Sequence, residues 1–230
     1  MAMLVVVVAL SVIFDFINGF HDTANSIATS VSTRVLTPGA ATLMSAGLNF
    51  LGALISAKVA ETIASGIVTR TLPAVVIAAA LCGAIVWNLF TWYIALPSSS
   101  SHALIGSLVG AALVETGDIR IVNWTNILDK VIIPLFTSPV IGIVIGFAVM
   151  KLLFFILRKA KQQAVNRWFS KLQIASAALM AYSHGSNDAQ KTMGIIAMAL
   201  VSGGMIGPQD GIPLWVKILC ALAMALGTSL

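Results

Sequence analysis

The stretch 71–114 contains no Asp, Glu, Lys or Arg. Two further charge-free windows cover residues 35–57, between Arg34 and Lys58, and 131–150, between Lys130 and Lys151. A helix needs about 20 apolar residues to cross the hydrocarbon of a bilayer, so each window can hold a span. The 71–114 window is too long for one crossing. It is interrupted at Leu96-Pro97-Ser98-Ser99-Ser100-Ser101-His102. One span is expected to end near Pro97, and a second, shorter helix to begin after the serines. Charged residues make up only 9% of the chain, against about 25% in a soluble domain. That is too little charge to cover a globule, which argues against a soluble enzyme, a nucleic-acid binder or a disordered regulator. The expected partner is the lipid bilayer, with no role for nucleic acid. The excess of 13 Lys and Arg over 8 Asp and Glu then reads first as loop orientation.

Lys151, Arg158, Lys159, Lys161, Arg167 and Lys171 fall within residues 151–171, a segment without an acid. It reads as a basic cytoplasmic linker. Residues 1–150 form a first transmembrane repeat, and 172–230 the start of a second. The last apolar window is still running at Leu230, so the chain is expected to be a fragment that lacks the end of its second repeat. Met1 to Ser11 has no basic leader and reads as the start of a retained span. Cys82 and Cys220 both lie in apolar runs, a spacing that suits packed thiols and no metal or disulfide framework.

Asn18-Gly19-Phe20-His21-Asp22-Thr23-Ala24-Asn25 and His184-Gly185-Ser186-Asn187-Asp188-Ala189-Gln190-Lys191 repeat at an offset of 166 residues, Asp on Asp. Each places a carboxylate just after a glycine inside a hydrophobic stretch. Many transporters consist of two inverted repeats whose broken helices meet near mid-membrane. In helical register Asn18, Asp22 and Asn25 share one face, and His184, Asp188 and Lys191 share the matching one. Gly19 and Gly185 are expected to break their helices and free backbone carbonyls, which with carboxylates and amides suit a hard cation. A carboxylate facing lipid is costly, so Asp22 and Asp188 are expected to face a cavity or a partner. Asp15, seven residues before Asp22, can share that face or sit near the membrane surface.

Pro97 ends a helix and the serines can start one, with a serine as N-cap. The new N-terminus would offer free N–H groups, hydroxyls and the positive end of a dipole, which together suit an anion. An oxyanion cannot sit beside two carboxylates without cations between them, and coupled transport supplies those cations. Lys191 can stand in for a mobile cation, hold the anion, or simply pair with Asp188 at i+3. His21, His102 and His184 all lie in or beside these clusters, where protonation would switch charge.

These residues resemble the inorganic phosphate transporter (PiT) family, with its duplicated signatures of the form G-x-N-D-x-A-N and S-H-G-x-N-D and its P-x-S-T-T-H hairpin. The matches are Gly19 to Asn25, Ser183 to Asp188 and Pro97 to His102. The variants H-D-T-A-N, P-S-S-S-S-H and N-D-x-Q-K look most like the bacterial low-affinity phosphate permeases. The resemblance implies an all-α polytopic membrane protein, an inverted-repeat transporter with broken helices and a re-entrant hairpin, forming a homodimer in the cytoplasmic (plasma) membrane. It implies symport of inorganic phosphate with H⁺ or Na⁺, with a divalent metal carried as metal-phosphate in some members, and no resident cofactor. Carried over by motif, Ser99, Ser100 and Ser101 would hold phosphate, and Asp22, Asn25, Asn187 and Asp188 would handle the coupling cation. The residues' own chemistry adds Lys191 as a partner for phosphate and Asn18, His21 and His184 for the cation or proton, with Asp22 and Asp188 binding the metal ion if one is used. His21 and Lys191 stand where Asn is usual, and both changes favour H⁺ over Na⁺. The second serine hairpin of the family would lie beyond Leu230.

Two other functions fit less well. Sulfate is also a tetrahedral oxyanion, but it lacks the proton with which phosphate can donate to a carboxylate. A membrane serine hydrolase would need a nucleophile–base pair. Ser101 and His102 are adjacent, which is poor geometry for one, and no G-x-S-x-G turn is present.

Overall fold

The computed structural model describes residues 1–55, 60, 66–207 and 210–230. Lys58 and residues 56 and 57, which close the first charge-free window, lie outside the described residues. Backbone N–H and C=O groups in hydrocarbon must bond within their own segment, and the apolar windows accordingly fold as helices. They are α1 (Ala2–Ser32), α2 (Pro38–Ile55), α3 (Ala74–Tyr93), α4 (Ser100–Thr116), α5 (Ile133–Leu157), α6 (Gln162–Ser202) and α7 (Leu214–Thr228). Together they give the all-α polytopic architecture. Four stretches, Ala2–Ser32, Pro38–Ile55, Ala74–Tyr93 and Trp124–Leu157, are long and apolar enough to cross a bilayer.

Local chemistry sets the boundaries. Pro38 opens α2, and Pro73 immediately precedes α3. Ser99 caps α4 by accepting from the His102 N–H, and Gly117 closes it in the left-handed region at φ 64°. The long window is thus split into α3 and α4, which pack together as a hairpin. An antiparallel bridge between Val68 and Val122 ties the chain before α3 to the chain after α4. A π-helical turn, Leu128–Ile132, precedes α5. Pro134 has no N–H for the carbonyl four residues back, so the regular ladder cannot run through this point.

Residues 151–171 are non-helical only at their centre. They comprise the end of α5, a turn at 158–161 and the first turns of α6. All six basic side chains are exposed. With 41 residues, α6 is about 60 Å long, twice the roughly 30 Å hydrocarbon core, so its basic start extends past the apolar layer.

The helices do not break at the repeated glycines. α1 runs unbroken through Gly19, and α6 through Gly185. The expectation of broken helices is corrected here, and packing supplies the reason. A Cβ on Gly19 would overlap backbone atoms of Met224 and Thr228, and one on Gly185 would overlap the backbone of Asn49. The same holds in reverse: Gly227 lies against the backbone of Phe16, and Gly52 against that of Tyr182. Each contact has its counterpart: α1 maps onto α6 at an offset of 166 and α2 onto α7 at 175. The glycines let helices of opposite repeats touch backbone to backbone. Accordingly α1 packs on both α7 and α6 as well as on α3, and α2 packs chiefly on α6 and then on α7.

Along α1 and α6, Asp15 meets Thr192, Asn18 meets Asp188 and Thr33 meets Gln173. Residue numbers rise on one helix as they fall on the other, so the two are antiparallel, as an inverted repeat requires. One apolar core gathers Phe14, Leu81, Leu108 and Ile195 from α1, α3, α4 and α6. Another gathers Met193, Ile196, Cys220 and Met224 from α6 and α7. Cys220 is the packed thiol expected, whereas Cys82 is exposed on α3. No residue of α5 is buried.

Candidate functional site

The antiparallel pairing of α1 and α6 brings the two copies of the repeat together. Asn18 is fully buried and its Nδ2 donates to Asp188 Oδ2 at 3.3 Å. Lys191 Nζ lies 2.8 Å from Asp188 Oδ1. Of the roles open to Lys191, pairing at i+3 is the one seen. On the α1 side, His21 Nδ1 lies 3.0 Å from Asp22 Oδ1. The start of α4 reaches the same carboxylate, where Ser100 Oγ donates to Asp22 Oδ2 at 3.1 Å. Asp22, Asn25 and Ser26 of α1 and His184, Asn187 and Asp188 of α6, with Met180 and Ser183, line a cavity of about 200 Å³. That exceeds the roughly 150 Å³ that accommodates a benzene ring.

The serine run divides its work. Ser98 accepts from Trp87 Nε1 at 3.0 Å, Ser99 caps α4, and Ser100 is buried against Asp22. Ser101 is half-buried and His102 exposed. Of the three serines expected to hold an anion, Ser100 is the one joined to the acidic cluster. Asn187 donates from Nδ2 to the Ser183 carbonyl at 2.8 Å, which leaves its side-chain oxygen at the cavity.

His184 carries the sharpest electrostatic information. Its Nδ1 lies 3.2 Å from Asn49 Oδ1, while Asn49 Nδ2 donates to Thr228 Oγ1 at 2.9 Å. Asn49 therefore presents an acceptor, and Nδ1 must carry the hydrogen. In the neutral ring, Nε2 then presents a lone pair. Nε2 is buried without a hydrogen-bond partner among the described residues, 3.6 Å from Asp188 Oδ2. A lone pair facing a carboxylate is repulsive unless a cation lies between them. One ligand atom each from Asp22, His184 and Asp188 lie within 4.8 Å of one another. Two carboxylates and an imidazole oriented by the Asn49 amide fit a metal ion. A proton on Nε2 would relieve the same repulsion.

Asn49 and Thr228 were not among the expected site residues. The available signal was Asn49 as the one amide in a charge-free window, 35–57. Nothing local links Asn49 to His184, 135 residues away.

The phosphate transporter family profile matches residues 18–230. The chain is 47% identical over 233 residues to a protein of Bacillus subtilis (strain 168) named a probable low-affinity inorganic phosphate transporter, covering 100% of this chain and 69% of that one. It is 44% identical over 230 residues to a protein of the same name from Mycobacterium tuberculosis (strain H37Rv), covering 99% of this chain and 55% of that one. The chain thus spans about half to two thirds of the length of these curated relatives. A solved structure described as the sodium-dependent phosphate transporter superimposes with a TM-score of 0.88 at 25% identity, covering 99% of this chain and 75% of that one.

Proposed function

The chain belongs to the phosphate transporter family, whose members are transporters and not enzymes, and from that premise we propose that it imports inorganic phosphate by cation symport, with H⁺ favoured over Na⁺. One observation carries the reading. Two repeat-related carboxylates, Asp22 and Asp188, line one cavity across an antiparallel helix pair, where Asp22 accepts from Ser100 and Asp188 pairs with Lys191. A phosphate anion is repelled there until positive charge neutralises the acids. Cation and anion therefore load together, which is the physical content of symport.

In this reading Asp22, Asn25, Asn187 and Asp188, with Asn18, His21 and His184, handle the cation or proton. Ser99, Ser100, Ser101 and Lys191 hold phosphate. Lys191 is engaged with Asp188, so it turns to the anion only once a proton or metal ion takes its place on the carboxylate. Binding of the cation thus releases the anion's partner. The imidazole among the ligands supports a divalent metal travelling with phosphate, because imidazole suits transition metals better than alkali ions. A specific observation favours sodium as the second reading: the structural neighbour is described as sodium-dependent.

The basic segment 151–171 is assigned to the cytoplasmic side of the plasma membrane by the positive-inside rule. Residues 1–150 and 172–230 are read as a first repeat and part of a second, which the glycine contacts at matched offsets support. A homodimer is proposed as the working form, with exposed apolar α5 available to it. Uptake of labelled phosphate by proteoliposomes under imposed pH or sodium gradients tests the coupling. Uptake that follows the sodium gradient and ignores the pH gradient would reverse the choice of ion, and strong inhibition by excess sulfate would refute phosphate selectivity.

A further inference from the structure

Asp15 is the acid of α1 that the site above does not use. Its side chain is fully buried. Oδ1 accepts from Thr192 Oγ1 of α6 at 2.6 Å, while Oδ2 has no hydrogen-bond partner among the described residues. The groups facing it are Lys191 and Asp188 on α6 and the Cys220 thiol on α7. The one charged residue of α7, Lys217, lies three residues before Cys220. Of the other helices against α1, α2 and α3 carry no charged side chain, and α4, which meets α1 at Ser100 and Asp22, carries His102 and Glu115, both exposed. The Lys191 ammonium is already engaged by Asp188.

Asp15 belongs to a row. Ser11, Asp15, Asn18 and Asp22 are spaced i, i+4, i+7 and i+11 and follow one face of α1. The first three are fully buried, and each has a polar side-chain atom that no described residue bonds: Ser11 Oγ, Asp15 Oδ2 and Asn18 Oδ1. A soluble-style core would pair such atoms. With Asp22 the row runs for about 16 Å along α1, from the cavity at Asp22 toward buried Val7. If Asp15 is ionised, the described interior sets the carboxylates of Asp15, Asp22 and Asp188 against the ammonium of Lys191, a balance hostile to an incoming anion. If Asp15 is neutral, one of those charges is gone and an O–H is available to neighbouring acceptors.

We propose that Asp15 carries the coupled proton of transport, using the Ser11–Asp15–Asn18 row as its path. The inference rests on the phosphate-symport reading and names the group that makes protons the driving ion. On the side from which phosphate enters, one proton adds to the Asp15 carboxylate. On the other side that O–H breaks and the proton leaves, so the carboxylate is regenerated once per cycle. Asp15 does not touch phosphate and acts through charge.

The test uses the complete protein in proteoliposomes and compares wild type, Asp15→Asn and Asp15→Glu. Two readouts are taken: exchange of internal for external phosphate at equal pH, and accumulation driven by an inside-alkaline gradient with proton entry followed by an internal pH dye. Asp15→Asn, permanently neutral, is expected to keep exchange within about threefold of wild type. It should lose gradient-driven accumulation and phosphate-triggered proton entry by about tenfold or more. Asp15→Glu should restore both. Accumulation and proton entry at wild-type level in Asp15→Asn overturn the inference and leave phosphate transport standing. So does loss of exchange together with accumulation in an Asp15→Asn protein whose thermal melt is unchanged, because coupling would then be inseparable from the site. Wild-type protein that exchanges no phosphate would overturn the transport reading itself.

Discussion

Replacing Asp188 with Asn leaves the Lys191 ammonium without its partner. Both side chains are largely buried, at 16% and 9% exposure, and the charged atoms are 2.8 Å apart. Removing one member of a buried ion pair costs about 3–5 kcal/mol, chiefly because the remaining charge is left uncompensated. For a chain of this size that corresponds to a fall in melting temperature on the order of 10 °C. Lys191→Met should cost less, because Asp188 keeps the Asn18 hydrogen bond and the nearby His184. The double variant Asp188→Asn/Lys191→Met removes both charges. It should recover most of the stability lost in Asp188→Asn, giving a coupling energy of about 2–3 kcal/mol in a double-mutant cycle. Function separates from stability at this point: the double variant should fold yet remain unable to take up phosphate, since the carboxylate that exchanges its ammonium for a cation is gone. Thermal unfolding in detergent at one scan rate and uptake in proteoliposomes measure the two quantities. A single variant as stable as wild type would show that water screens the pair. A double variant that transports normally would refute the role given to the Asp188 carboxylate.

Three more outcomes follow from the same geometry. Gly185→Ala pushes a methyl into the Asn49 backbone; it should destabilise the protein by about 1–3 kcal/mol through overpacking, seen as a lower melting temperature, whereas Gly106→Ala, with open space around it, should be neutral or better. Ser100→Ala removes the donor to Asp22 Oδ2; a hydrogen bond to a charged group is worth about 1.5–3 kcal/mol, so initial uptake should fall at least tenfold, while Ser98→Ala, which loses only an exposed bond to Trp87, should change little. Asp22→Asn should abolish uptake, whereas Asp118→Asn, at an exposed turn, should leave it near wild type; equal effects in a transport assay would remove any special role from the repeat.

Much of the site was legible before any coordinates. The charge-free windows held α2, α3, most of α4 and the larger part of α5, and the break at the serines fell where α4 is capped by Ser99. The repeated Asp after Gly identified the two carboxylates that meet. Gly19 and Gly185 were legible as special but not as to why. Glycine frees the backbone to break, and it also removes the Cβ that keeps two helices apart. Only the neighbour decides which property is used, and here Met224 and Asn49 lie directly against the two backbones. Asp15 could not be placed by periodicity alone, because its surroundings come from Thr192 and Cys220, far along the chain.

The sequence by itself determined the solvent, the helical secondary structure and the inventory of charges inside the membrane, because these follow from composition and from spacing within a single turn or span. Tertiary structure decided which helices meet. The packing of α1 against α6 sets Asp22 near Asp188 and, with α7, buries Asp15, while α2 against α6 orients His184 through Asn49. That pairing is won by backbone contact at glycines more than a hundred residues apart, a term that no local pattern encodes because it exists only when both surfaces are present.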